Sequence, residues 1–253
     1  MNTDFPDNYR HVAYDHVGST NTMALQLAKE HDPGNIWVTA KVQTEGRGRR
    51  GRRWVSEPGN LYASLLLKNP AVQTNIGQIP ILAATALHRG IENCLSPELR
   101  SGLNIKWPND ILFKKQKIAG ILVESHKLND ATYVIIGCGV NCSTHPEITD
   151  HHAASDFASE SIAIETHALL VQIARAFDQR LLYWEGGRSF PGIREDWLAR
   201  VSGPGEQITV RLQNQTLLGT FESIDQDGCL ILRTASGERQ TIFAGDVFSG
   251  LQQ

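Results

Sequence analysis

The sequence has no long apolar run, few cysteines and almost no net charge, and each shortage closes off a class of protein. Its most apolar stretch, Ile81 to Leu87, falls far short of the ~20 residues a membrane-spanning helix needs. The first sixteen residues carry Asp4, Asp7, Arg10 and Asp15 with no apolar core of the secretory kind. A cytoplasmic protein without membrane contact is expected. Cys94, Cys138, Cys142 and Cys229 are too few and scattered for a disulfide framework. Cys138 and Cys142 lack a second pair at metal-ligand spacing, so buried thiols are expected and a structural metal is not. A net charge of -3 offers no general attraction to nucleic acid. With 41% hydrophobic and 20% charged residues the chain is not disordered, and its length suits one large domain, alone or with a small appendix.

Val12 to Val17 reads as a strand, and Ser19-Thr20 as an N-cap ahead of Met23, Ala24, Leu27 and Ala28 on one helical face. Ile36 to Val42 and Leu61 to Leu67 are strands flanking a glycine- and arginine-rich loop, Gly46 to Arg53. Ile79, Leu82, Ala83, Ala86 and Leu87 recur at helical spacing. Ile105 to Trp107, Asp110 to Phe113, Ile118 to Ser125 and Tyr133 to Gly137 follow as short strands, with a hairpin turn at Lys114-Lys115-Gln116. Leu169, Leu170, Ile173, Phe177 and Leu181 stripe a long helix, and a shorter one carries Trp197 and Leu198. Past Gly203-Pro204-Gly205 come only short strands and turns such as Asp227-Gly228 and Ser236-Gly237, the texture of a small β-barrel. The fold class is α+β, with a mixed-sheet domain over residues 1–203 and a barrel over 204–253.

The sharpest feature is Gly46-Arg47-Gly48-Arg49-Arg50-Gly51-Arg52-Arg53-Trp54. Glycines let backbone approach a ligand, and guanidinium forks grip phosphate oxygens in pairs. From Lys41 to Arg53 there are six basic side chains and one acidic, net +5, in a chain whose total is -3. The segment calls for a polyanion. It does not repeat as a nucleic-acid arm would, and it lacks the lysine-serine ending of a P-loop, which leaves a nucleotide phosphate site or a solvated charge run. Lys106-Trp107-Pro108-Asn109-Asp110 is the second feature, followed by Lys117-Ile118-Ala119-Gly120-Ile121-Leu122-Val123-Glu124. An asparagine amide can read an adenine edge, and a carboxylate can hold a ribose hydroxyl or magnesium. Taken alone, Lys117 reads as a solubility charge at a strand start.

In this order, Ser19-Thr20-Asn21, Gln43-Thr44-Glu45 running into the arginine loop, Lys106 to Asp110, Lys117 to Glu124 and Gly137-Cys138-Gly139-Val140-Asn141 resemble the biotin protein ligases from about Val12 onward. The resemblance implies an α+β catalytic domain packed against an SH3-like C-terminal barrel. It implies a two-step reaction in which biotin and ATP, with magnesium, give biotinyl-5'-adenylate, and an acceptor lysine then takes the biotin. Ser19, Thr20, Asn21, Gln43 and Gly120 would hold biotin with Arg47, Arg49 and Lys117 at its carboxylate. Arg49, Arg50, Arg52, Trp54, Asn109, Lys117 and Asn141 would serve the nucleotide, the tryptophan by stacking on adenine. Lys117, Arg49 and Asp110 would act on the reacting groups. The partner implied is a biotin carboxyl carrier protein or an equivalent carrier domain, and a homodimer is left open. About a dozen residues precede the first strand, too few for the winged helix-turn-helix of repressor members, so no DNA contact is expected.

Two rivals stand beside this. A lipoate ligase also adenylates a carboxylate, but typically lacks Lys-Trp-Pro-Asn-Asp. A nucleic-acid binder would use the loop and the terminal module, yet residues 204–253 carry three basic and six acidic side chains, net -3, which would repel phosphates. The arginine loop is also expected to be loose without ligand, since its five guanidiniums repel one another and it has little to pack on.

Overall fold

Two strands buried on both faces set the architecture. In the computed structural model, which describes residues 5–147, 153–212 and 214–249, strand β2 (Ile36–Gln43) is buried over its first five residues and β3 (Leu61–Lys68) over its first seven. Such runs mark strands covered on either side. They lie inside a seven-stranded sheet with β1 (Arg10–Val17), β4 (Leu103–Lys106), β5 (Asp110–Phe113), β6 (Gln116–Leu128) and β7 (Ala131–Val140), in the order β1-β2-β3-β7-β6-β5-β4. β1 and β2 pair in parallel across helix α1 (Thr20–Lys29), and the other pairs are antiparallel.

Successive residues of a strand point to opposite faces, and the two cores follow that alternation. Trp37, Leu65 and Ile136 pack under α2 (Ile79–Glu92), α3 (Thr166–Trp184) and α4 (Phe190–Leu198). Ile36, Val38, Leu66, Tyr133 and Ile135 pack instead against Ala24 and Ala28 of α1. Leu169, Leu170, Ile173 and Phe177 of the α3 stripe are buried, Leu181 is partly so, and Trp197 lies fully inside. No helix among the described residues is long and apolar enough to cross a membrane.

Three expectations change. The hairpin of β6 and β7 outruns its apolar core, pairing on to Leu128 and Ala131 because polar residues such as Lys127 and Thr132 still complete the ladder. Its neighbour turns through Lys114 and Lys115 alone, at φ 47° and 69°, the twist a two-residue hairpin favours. The terminal strands β8 (Gln207–Arg211), β9 (Thr216–Ile224), β10 (Leu230–Arg233), β11 (Arg239–Ile242) and β12 (Asp246–Ser249) form an antiparallel sheet in the order β11-β10-β9-β8-β12. In place of the expected barrel, the pairing among the described residues is that of a five-stranded sheet with β11 and β12 at its ends.

Candidate active site

Along β7, on the α1 side of the sheet, the side chains stop at Ile135. Gly137 and Gly139 continue the same face of β7, and Gly120 of β6 stands opposite Gly139, so bare backbone forms a floor. The indole of Trp54 lies on it. A Cβ on Gly139 would sit 2.6 Å from the ring and one on Gly120 2.9 Å, so only glycine admits that approach. The ammonium of Lys117 stands 5.4 Å from the ring centroid. The indole Nε1 is buried without a hydrogen-bond partner, in a cleft of about 510 Å³ that the floor underlies.

One end of the cleft is polar and uncharged. Ser19, Thr20 and Asn21 are buried there at the start of α1. Ser19 holds the N-cap position, yet its hydroxyl makes no capping bond. Gln43 does that work from the end of β2, its side-chain oxygen accepting from the Thr20 amide at 2.9 Å and from the Thr20 hydroxyl at 3.1 Å. Asn21 is fixed on both sides, with its oxygen 2.6 Å from the Ser64 hydroxyl and its nitrogen donating to Glu124 at 2.7 Å.

The other end is cationic. Lys117 pairs with Asp110 at 2.6 Å, both side chains about a quarter exposed or less (26% and 18%). Arg49 reaches in to donate to the Asn109 side chain at 3.2 Å and the Gly245 carbonyl at 3.4 Å. Burial pulls its pKa below the usual arginine value, while Asp246 and Asp110 oppose that. Lys106 faces the same space. Burial lowers its pKa to about 8, with Asp110 and Asp246 acting to raise it and Lys117 to lower it further.

The site residues expected from the sequence mostly converge on this cleft: Ser19, Thr20, Asn21, Gln43, Arg47, Arg49, Arg52, Trp54, Asn109, Asp110, Lys117, Gly120 and Asn141 all line it. Some are already engaged. Arg47 donates to the Thr22 hydroxyl at 3.1 Å and lies 3.6 Å from Glu124, anchoring the loop's base. Asn109 donates to the Ile121 carbonyl, and Asn141 to the Ser155 carbonyl. Trp107 is buried and donates to the Gly228 carbonyl, a core role. Arg50 is outside the lining, paired with Asp246. The loop therefore has something to pack on, contrary to expectation, because the second sheet leans over it. Sequence reading passed over Lys106 as a site residue, Glu124 and Asp246. The first two stand inside the Lys106 to Asp110 and Lys117 to Glu124 motifs, while nothing near Asp246 marks it.

The sequence profile of the Biotin/lipoate A/B protein ligase family matches residues 14–141, about half the chain. The chain belongs to that family. In this member residues 205–250 also match the Biotin protein ligase C terminal domain. A biotin--[acetyl-CoA-carboxylase] ligase of Paracoccus denitrificans is 37% identical over 244 residues, covering 92% of this chain and 97% of the relative. A bifunctional ligase/repressor of Bacillus subtilis is 34% identical over 251 residues, 95% of this chain and 74% of that one. The structure of an Aquifex aeolicus biotin protein ligase in complex with biotin and ATP superposes with a TM-score of 0.77 at 24% identity, covering 94% and 97% of the two chains. At that identity the likeness is one of fold.

Proposed function

We propose that the protein is an ATP-dependent biotin protein ligase, with a catalytic part over residues 1–203 and a C-terminal module over 204–253. One observation carries this reading: a single cleft joins a neutral polar end, a bare glycine floor and a cationic end. A ligand that fits has a hydrogen-bonding head, an apolar middle and an anionic tail, as biotin has. Ser19, Thr20 and Gln43 take the ureido head, and Asn21, tied to Ser64 and Glu124, holds the pocket's shape. Gly120, Gly137 and Gly139 leave room for the apolar middle beside Trp54. For that ring to stack on adenine, as the resemblance implies, it must turn off Gly139.

Lys117 and Arg49 meet the carboxylate, which is joined there by ATP entering with magnesium as part of the substrate. A carboxylate oxygen attacks the α-phosphorus, the bond to the β-phosphate breaks and pyrophosphate leaves. Fixed cations near the crowded phosphorus stabilise the charge that develops. In the second step the neutral amine of an acceptor lysine attacks the activated carbonyl carbon, the bond to the phosphate oxygen breaks, the nitrogen gives up one proton to solvent, and AMP and an amide result. Asp110, facing that carbon beside Lys117, orients the incoming amine. The adenylate is a mixed anhydride that water destroys, so the loop and β12 serve by closing the cleft. The acceptor is a biotin carboxyl carrier protein or an equivalent domain.

The test offers biotin and lipoate, each with ATP, to the purified protein and a carrier domain, followed by intact-mass measurement. Addition of biotin to one lysine is expected. Lipoate added in preference, or neither acid consumed, overturns the reading.

A further inference from the structure

Three of the loop's five arginines converge on the turn into β12, almost two hundred residues away in sequence. Asp246 Oδ2 accepts from Arg50 at 2.9 Å and its Oδ1 from Arg52 at 2.6 Å, while Arg49 reaches the neighbouring Gly245 carbonyl. Arg50 sits at φ 56°, a left-handed conformation that a non-glycine residue keeps only when its surroundings hold it. We propose that Asp246 is a positioning residue of the nucleotide site, holding Arg50 and Arg52 as a stand-in anion until the triphosphate displaces it.

This rests on the ATP-dependent reading above. One carboxylate spanning two guanidiniums presents oxygens much as a phosphate does. Asp246 lines the same cleft as Arg49, Arg52 and Lys106. It cannot follow the arginines when they turn, because β12 is held along β8 from Asp246↔Arg211 to Ser249↔Ile208. With the cleft empty, Asp246 is the counter-ion that orders the loop. Once phosphates arrive, it is a fixed like charge beside them, and that repulsion acts in a space the nucleotide has cleared of water. Each ion pair lost in the exchange is part-exposed and individually weak. The repulsion therefore outweighs the latch.

Two consequences of Asp246→Asn have opposite signs. The empty loop should be cut several-fold faster by trypsin, since cleavage tracks the open population when reclosing is fast. The KM for ATP in pyrophosphate release should fall by about fivefold, the effect of one partly exposed charge. Asp246→Glu, which keeps the charge, should restore both values, whereas loss of a merely structural contact in Asp246→Asn would speed cutting without lowering the KM. If Asp246→Asn melts early, Arg50→Gln with Arg52→Gln breaks the same pairs from the loop side and should speed cutting at Arg47, Arg49 and Arg53. Unchanged cutting refutes the latch. A raised KM refutes the exchange and makes the carboxylate a ligand of ATP or its metal. The trypsin arm needs no activity. If the parent releases no pyrophosphate, the ligase reading fails, and the inorganic tripolyphosphate concentration that half-protects the loop then decides the exchange, which predicts a lower value in Asp246→Asn.

Discussion

Replacing Lys117 by alanine should nearly abolish adenylation while leaving the fold almost intact. The two effects can be sized separately. The ammonium sits 2.6 Å from Asp110 with both side chains largely but not wholly buried, so deleting it falls between an exposed pair, worth about 0–1 kcal/mol, and a fully buried one, costing about 3–5 kcal/mol when broken. A stability loss of about 1–2 kcal/mol follows, or a melting shift of roughly 2–8 °C in a chain this long. Loss of one preorganised contact to a developing charge costs about a hundred- to a thousandfold in rate, roughly 2.7–4 kcal/mol. Pyrophosphate release with saturating biotin and ATP measures the second effect, and thermal unfolding the first. Adding Asp110→Asn to the variant removes the carboxylate left without its partner and should recover part of the melting temperature but none of the rate. Release within about threefold of the parent would refute the role given to Lys117, as would rate and stability recovering together.

Gly139→Ala should force Trp54 off the floor, raising the KM for biotin by about tenfold or more and altering tryptophan fluorescence at a modest stability cost; an unchanged biotin titration refutes the shared floor. For Lys106, with a pKa of about 8, the KM for ATP should be flat below pH 8 and rise above it as the ammonium deprotonates, and Lys106→Arg should remove the inflection. Lys106 itself does not favour unfolding over this range: an unfolded lysine keeps its proton to about pH 10.4, so its contribution to stability rises with pH between about 8 and that value. Arg49→Gly should loosen retention of the adenylate, so that biotin appears on bystander proteins by blotting; labelling of the acceptor alone contradicts it.

What was legible in the sequence was local. Interleaved glycine and arginine, or Lys106 to Asp110, announce themselves because the residues that cooperate are neighbours. The same reasoning placed Ser19 at the N-cap of α1, where it stands, but could not see that its hydroxyl makes no capping bond. Its competitor, Gln43, comes from an adjacent strand. Asp246 was invisible for the same reason, being one of six acidic residues scattered through residues 204–253. The depressed pKa of Lys106 was likewise hidden, because it follows from burial that no window of sequence reports.

The glycine floor is the clearest case of a site made by register. Gly120, Gly137 and Gly139 stand out in sequence only through the family motifs that contain them, and the strand pattern alone gives no reason to bring them together. Antiparallel pairing places Gly120 opposite Gly139, with Tyr62 across from Gly139 and Ser64 across from Gly137. Parity then puts all three glycines on the face that carries α1, beyond the last packed residue, Ile135. Slipping β7 by one residue would turn Cys138 or Val140 into the cleft and fill the space Trp54 occupies, since every side chain changes face. The register is fixed elsewhere, by Leu66, Tyr133 and Ile135 packing under Ala24 and Ala28. The apolar core on one stretch of the sheet thus determines that the next stretch is bare, and the bare stretch is where an apolar ligand can lie against backbone.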